Sequence, residues 1–320
     1  MKTLRLHAPN DLREHEEPEP IPGSGEALVR VKSVGICGSD LHWVGEGGIG
    51  DANLEKPLIL GHEFAGVIAS GEREGERVAI DPAISCHACQ FCLQGKPNLC
   101  ENIRFAGHAL EDGGLREIIA WPEECLIPLP DLLSYADGAM LEPLGVAIHA
   151  VDLAQLQAGM SVGVFGCGPI GLLVIQVARL AGATRVYASE PLSHRLDAAQ
   201  RLGAVEWKPG RQVDVAFEAA GEDDAVEDAL QSIIPGGRVV LIGIPSNDRT
   251  TISATLARHK ELTIQLIHRM KFTYPRAIKM VENRQVDVRS LVSHSFPLGQ
   301  TQEAFKMAAR RAGLKVIVEC

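Results

Sequence analysis

The chain has 320 residues, 46% hydrophobic and 22% charged, a composition that suits a globular protein long enough for two cores. Its net charge of −10 at pH 7 argues against a nucleic-acid partner, because a phosphate backbone repels an acidic surface. No apolar run reaches the ~18 residues of a membrane span, and "MKTLRLHAPNDLREHEEPEP" lacks the apolar core of a signal peptide, so a cytoplasmic chain with reduced thiols is expected.

Short alternating runs, "EALVRVKSV", "FAGVIAS" and "ERVAI", broken by Gly and Pro turns, predict a mainly β region over the first ~140 residues. Within it "VGICGSDLHW" carries Cys37, "LILGHEFAGVI" carries His62 and Glu63, and "MLEPLGVAIHA" carries Glu142. One thiolate, one imidazole and one carboxylate suffice for a three-point zinc site with a fourth position open for water or substrate. Taken singly, Cys37 also reads as a small core residue and Glu142 as a helix-start carboxylate. Linear spacing does not bring them together.

Between these segments, "ISCHACQFCLQGKPNLC" places Cys86, Cys89, Cys92 and Cys100 in a C-x2-C-x2-C-x7-C pattern, with turn residues in the last gap. Such spacing lets four thiolates converge on one small ion, as in a closed structural zinc site; an iron–sulfur cluster is the rival occupant. Disulfides do not suit a reducing compartment. His87 reads as a solvated loop residue. With four cysteines and no open position, this site predicts a clip and not a reaction centre.

Past Gly159, "SVGVFGCGPIGLLVIQVARLAGATRVYASEP" predicts a buried strand, a glycine turn, an apolar helix and a second strand. Gly166, Gly168 and Gly171 make the G-x-G-x-x-G turn, with Pro169 and Ile170 inside it; its glycines serve a tight bend, a close approach of pyrophosphate, and helix–strand packing. Glu190 ends the second strand, where an acid accepts hydrogen bonds from the ribose hydroxyls of NAD. Arg195 and His194 follow and would greet a 2′-phosphate instead, so NAD is favoured and NADP stays open. Further strands at "VDVAFEAAG", "GRVVLIGI" and "LTIQLIH" alternate with helical segments, as a doubly wound parallel sheet requires.

The order and spacing of "GICGSDLH", "GHEFAGVI", the four-cysteine loop and "LEPLGVAIHA" resemble the zinc-dependent medium-chain dehydrogenase/reductase superfamily, most of all its sorbitol (polyol) dehydrogenase branch. The resemblance spans nearly the whole chain. It implies an α/β fold, a Rossmann doubly wound parallel sheet plus a mainly-β GroES-like catalytic domain: residues 1–143 with a structural zinc lobe at about 86–100, a nucleotide-binding domain over 144–268, and a return to the catalytic domain over 269–320.

The same resemblance implies a catalytic zinc on Cys37, His62 and Glu63, with Glu142 ligating it or holding its water, and a structural zinc on Cys86, Cys89, Cys92 and Cys100. Asp40 matches a carboxylate that orients a histidine ligand. Ser39 and His42 match a proton-relay pair, against the plainer reading of a helix cap and a surface histidine. Arg269 falls where the branch places a polyol-contacting arginine, with Met270 in place of a tyrosine. Trp43 replaces another tyrosine and reads either as a pocket wall or as core.

The implied activity is oxidation of a secondary alcohol, a polyol such as sorbitol or xylitol, with hydride passing to NAD. Threonine or a simple secondary alcohol stands as the alternative substrate, and a homodimer or homotetramer is the implied assembly. Two other classes compare poorly. A zinc-ribbon nucleic-acid binder explains only the cysteine loop, and a non-catalytic NAD(P) sensor would have lost Cys37, His62 or Glu142.

Overall fold

The computed structural model describes all 320 residues, which divide into two compact units. The first comprises Met1–Glu142, Tyr274–Glu282 and Val288–Cys320; the second comprises Pro143–Thr273 with Asn283–Asp287. These breaks fall one and five residues from the expected 143/144 and 268/269, and the short segment Asn283–Asp287 was not anticipated in the second unit.

The first unit is built on a seven-stranded sheet. Its central strand, Glu26–Gly35, pairs antiparallel with Glu63–Ile68 on one side and with Ile118–Pro122 and Lys315–Glu319 on the other. Alternation along "EALVRVKSVG" sends Ala27, Val29, Val31 and Val34 into the core, which they share with Leu6, Phe64, Trp121 and Val318. Strand Arg77–Ile80 extends the sheet from Glu63–Ile68, so "FAGVIAS" and "ERVAI" are neighbours joined by the loop over 69–76.

The second unit holds a six-stranded, all-parallel sheet. Ser161–Phe165 lies beside Arg185–Ser189 and then Val205–Glu206 in one direction, and beside Val213–Glu218, Ile233–Leu241 and Thr263–Leu266 in the other. Numbered along the chain that order is 3-2-1-4-5-6, the Rossmann arrangement, with its switch point between Ser161–Phe165 and Val213–Glu218. Helices Pro169–Leu180, Ser193–Arg201, Asp223–Ser232 and Ala254–His259 make the crossovers. Phe165, Tyr187, Trp207, Leu230 and Val239 are buried in a core of their own.

Candidate functional site

Three adjacent strands of the first unit deliver one buried polar cluster. Cys37 follows the central strand and caps helix Gly38–Glu46; His62 and Glu63 open the neighbouring strand, where Glu63 pairs with Gly35. Ligand atoms of Cys37, His62 and Glu63 all lie within 4.8 Å of one another. Thiolate, imidazole and carboxylate at that separation form a donor set suited to zinc, so the residues present fit the ion that the sequence implies.

Asp40 joins two of these residues. One of its oxygens accepts the Cys37 amide at 2.9 Å, while the other accepts the Gly61 amide at 3.3 Å and faces His62 Nδ1 at 3.5 Å. Burial pushes the His62 imidazole down, but Asp40 and Cys37 outweigh it and hold the group well above its ordinary value. Binding a metal requires the neutral ring and the thiolate, so a bound ion would displace that proton.

The sequence reading missed the fourth member of the cluster. Lys315, which opens the C-terminal strand, ion-pairs with Glu63, and both side chains are buried. Gly35 makes room for them: a Cβ there would run into the Glu63 carboxylate and the Lys315 side chain. The only signal in the sequence was a lysine at the head of an apolar run, "KVIVE", about 250 residues away in the chain. Glu142, at the start of helix Leu141–Leu153, lies outside the 4.8 Å set. Burial raises its carboxyl to about 7, with His62 opposing the rise and Glu63 adding to it.

Ser39 and His42 share helix Gly38–Glu46, three positions apart and therefore on one face. The N-cap is Cys37, so Ser39 is not the cap. His42 Nδ1 lies 3.1 Å from Glu46 at the exposed end of the helix. Trp43 is 1% exposed in the core of the unit with its ring edge-on to His108.

The four-cysteine loop forms a second cluster, again within 4.8 Å. Cys86 and Cys92 sulfurs are 4.0 Å apart, and those of Cys89 and Cys92 are 3.6 Å apart. A tetrahedral ion with bonds of about 2.3 Å sets its sulfurs about 3.8 Å apart, so one ion fits, whereas a disulfide at about 2.05 Å does not. Backbone amides of Ala88 and Cys89 lower the Cys86 thiol to about 6. Burial, with thiol neighbours adding, lifts Cys92 to about 12. His87 is exposed and bonds Glu124 at 2.9 Å.

In the second unit the glycine turn sits at the switch point. Gly166 takes φ +96°, and a Cβ on Gly171 would strike the Gly166 carbonyl, so both positions require glycine. Gly168 caps helix Pro169–Leu180, and a Cβ there would meet nothing nearer than Arg195, at 3.7 Å. Gly168, Pro169 and Ile170 are half-buried, so the helix start stays open to an anion. Glu190 accepts the Cys167 amide at 2.7 Å and the Leu192 amide at 3.1 Å, fixing its carboxylate beside the turn. The Cys167 thiol is buried and pushed up to about 12, first by burial and then by Glu190. Arg269 stands in a turn of this unit at φ +57°, next to Met270, whose side chain leaves no space for a Cβ on Gly145.

Comparison with known proteins agrees with this architecture. Residues 23–131 match the alcohol dehydrogenase GroES-like domain, and residues 169–283 match the zinc-binding dehydrogenase family. The sorbitol dehydrogenase of Bacillus subtilis (strain 168) is 35% identical over 341 aligned positions, covering 99% of this chain and 97% of its own. Two solved structures superpose over the whole chain, each with 99% of its own length covered. They are 2R,3R-butanediol dehydrogenase from Bacillus subtilis (TM-score 0.89, 33% identity) and an alcohol dehydrogenase (rspB) from E. coli CFT073 complexed with NADH (TM-score 0.90, 29% identity). The chain therefore belongs to the zinc-dependent medium-chain dehydrogenases, oxidoreductases that use a nicotinamide cofactor, and within them to the sorbitol dehydrogenase-like branch.

Proposed function

We propose that this chain oxidises a secondary alcohol, a polyol such as sorbitol or xylitol, and uses NAD. The observation that carries the reading is the convergence of half-buried Cys37 with buried His62 and Glu63, in a chain 35% identical to a sorbitol dehydrogenase. Zinc held by those three residues, with Glu142 beside them, would supply Lewis acidity toward the alcohol oxygen, and the nicotinamide would accept the hydride.

The chain's own residues do the rest. Asp40 holds Cys37 and His62 in register. Lys315 offsets the charge of Glu63, and burial of that pair keeps water from competing for it. Ser39 and His42, on one helix face, form the route by which a proton leaves toward solvent. Trp43 backs the pocket from the core, and Arg269 contacts substrate hydroxyls. Gly166, Gly168, Pro169, Ile170 and Gly171 receive the pyrophosphate, while Glu190 takes the adenosine ribose.

Cys86, Cys89, Cys92 and Cys100 hold a second, structural zinc. Met1–Glu142, Tyr274–Glu282 and Val288–Cys320 form the catalytic domain, and Pro143–Thr273 with Asn283–Asp287 the nucleotide domain. The enzyme is a cytoplasmic homodimer or homotetramer; no helix is long and apolar enough to cross a membrane. Support for assembly comes from Leu93, 75% exposed on the cysteine lobe, and from the unpaired edge strand Thr263–Leu266.

Two observations favour a second reading. Similarity to a butanediol dehydrogenase fits a simple secondary alcohol, and Arg195 beside Gly168 fits NADP. Zinc-loaded protein should be assayed with NAD or NADP on sorbitol, xylitol, myo-inositol, threonine and 2-butanol. Polyol turnover with NAD is the expected result. Turnover only of threonine or 2-butanol would replace the substrate, and no turnover in protein holding both zinc ions would bring forward a non-catalytic NAD(P) sensor.

A further inference from the structure

Glu218 ends the strand Val213–Glu218 at the switch point and is 1% exposed, yet nothing in the chemistry above uses it. One of its carboxylate oxygens accepts the amides of Ala220 and Gly221, each at 2.6 Å. The amides of Glu222 and Gly243 also donate to the carboxylate. Its main-chain carbonyl accepts the Ile242 amide at 2.8 Å and the Gly243 amide at 3.3 Å. One residue thus ties the loop after the fourth strand of the order, Ala219–Gly221, to the loop after the fifth, Ile242–Ile244.

Both loops are closed up around it. Gly221 takes φ +72°, and a Cβ there would meet the Ile244 carbonyl at 2.5 Å. A Cβ on Gly243 would run into Gly221 and approach Glu218 Oε2 at 2.8 Å. The first loop is also bonded to the glycine turn. Ala219 donates to the Phe165 carbonyl at 2.8 Å, and a Cβ on Gly166 would lie 2.8 Å from the Ala220 amide.

Burial disfavours the ionised carboxyl, and the surrounding amides oppose that effect. Only an acceptor-only group satisfies amides converging from both loops. A glutamine would turn its own N–H toward some of them.

A dinucleotide lies across the switch point of such a sheet, one mononucleotide on each side. Glu190, at the end of Arg185–Ser189, marks the adenosine side. The loops held by Glu218 are on the other side. We propose that Glu218 is a positioning residue for the nicotinamide-ribose half of the bound dinucleotide, fixing Ala219–Gly221 and Ile242–Ile244 in the arrangement that receives it. The inference rests on the nicotinamide-dinucleotide reading above.

The test is binding of NADH and of AMP, which lacks the whole nicotinamide-ribose half, to the zinc-loaded wild type, Glu218→Gln and Gly243→Ala. Glutamine is isosteric, and Gly243→Ala disturbs the same contact from the opposite loop. Both variants are expected to weaken NADH by at least about tenfold, the effect of leaving a buried donor facing a donor. AMP affinity should stay within about twofold, since its contacts are on the Glu190 side. Unchanged NADH affinity in both variants, or equal loss of NADH and AMP, would overturn the inference alone. Wild-type protein that bound neither ligand would overturn the dinucleotide reading and the inference with it.

Discussion

Lys315 and Glu63 form an ion pair whose side chains are 2% and 1% exposed, on strands that flank the central strand of the first unit. Desolvation works against the ammonium, but Glu63 and then Cys37 outweigh it and keep the group above its ordinary value. Each charge depends on the other, because an isolated buried ion is costly. Lys315→Met is predicted to destabilise the fold by about 3–5 kcal/mol, read by chemical denaturation. Lys315→Met combined with Glu63→Gln should recover part of that loss. A single-variant cost near zero would mean that the pair is solvated and not part of a dry site.

The cysteine lobe yields a separate prediction. Cys92, which lies within 4.0 Å of two other sulfurs, should be replaceable by serine at the cost of one zinc per chain. Hydrogen exchange should then rise across 86–100 and little elsewhere, because no sheet of either unit includes these residues. Full zinc content in Cys92→Ser would contradict a four-thiolate clip.

Local patterns were legible in the sequence, and long-range ones were not. The cysteine loop and the glycine turn hold their ligand groups within a few residues, so spacing alone located both. Strand runs such as "VDVAFEAAG" were equally readable, since a buried parallel strand is continuously apolar. Lys315 reaches Glu63 only because strands Lys315–Glu319 and Glu63–Ile68 flank the same central strand, a pairing that no local pattern encodes. Glu218 lies in the strand run "VDVAFEAAG", and the loop amides it accepts are visible only in the fold. Trp43 shows another limit: its position was matched by family resemblance, and only the fold shows its side chain packed in the core.

Cofactor choice turns on Glu190 and Arg195. Glu190→Ala is predicted to lower kcat/KM for NAD by about tenfold or more, as two ribose hydrogen bonds are lost, while turnover with NADP rises relative to NAD. Arg195→Ala should have the converse effect on NADP. Steady-state kinetics with both cofactors decides it, and an unchanged ratio in both variants would remove these residues from the discrimination.

Asp81 gives a pH dependence. Burial raises its carboxyl from 3.8 to about 6, against one bond from the Ala83 amide at 3.0 Å. An acid with a raised folded-state value binds more protons folded than unfolded between those pH values, so stability falls as pH rises from 3.8 to about 6 and stays reduced above. The contribution is about 2 kcal/mol after allowance for partial exposure. Asp81→Asn should therefore be the more stable protein at pH 7.5 and should lose that slope in a pH series of urea denaturations. A variant no more stable at that pH would show that Asp81 is ordinarily ionised in the fold.

The most direct test of the account is metal content and turnover measured together in Cys37→Ala. Two zinc ions per wild-type chain, one in the variant, and loss of alcohol oxidation with retained NADH binding are the predicted results. Two zinc ions retained in the variant, or undiminished oxidation with one, would contradict a catalytic zinc held by Cys37, His62 and Glu63.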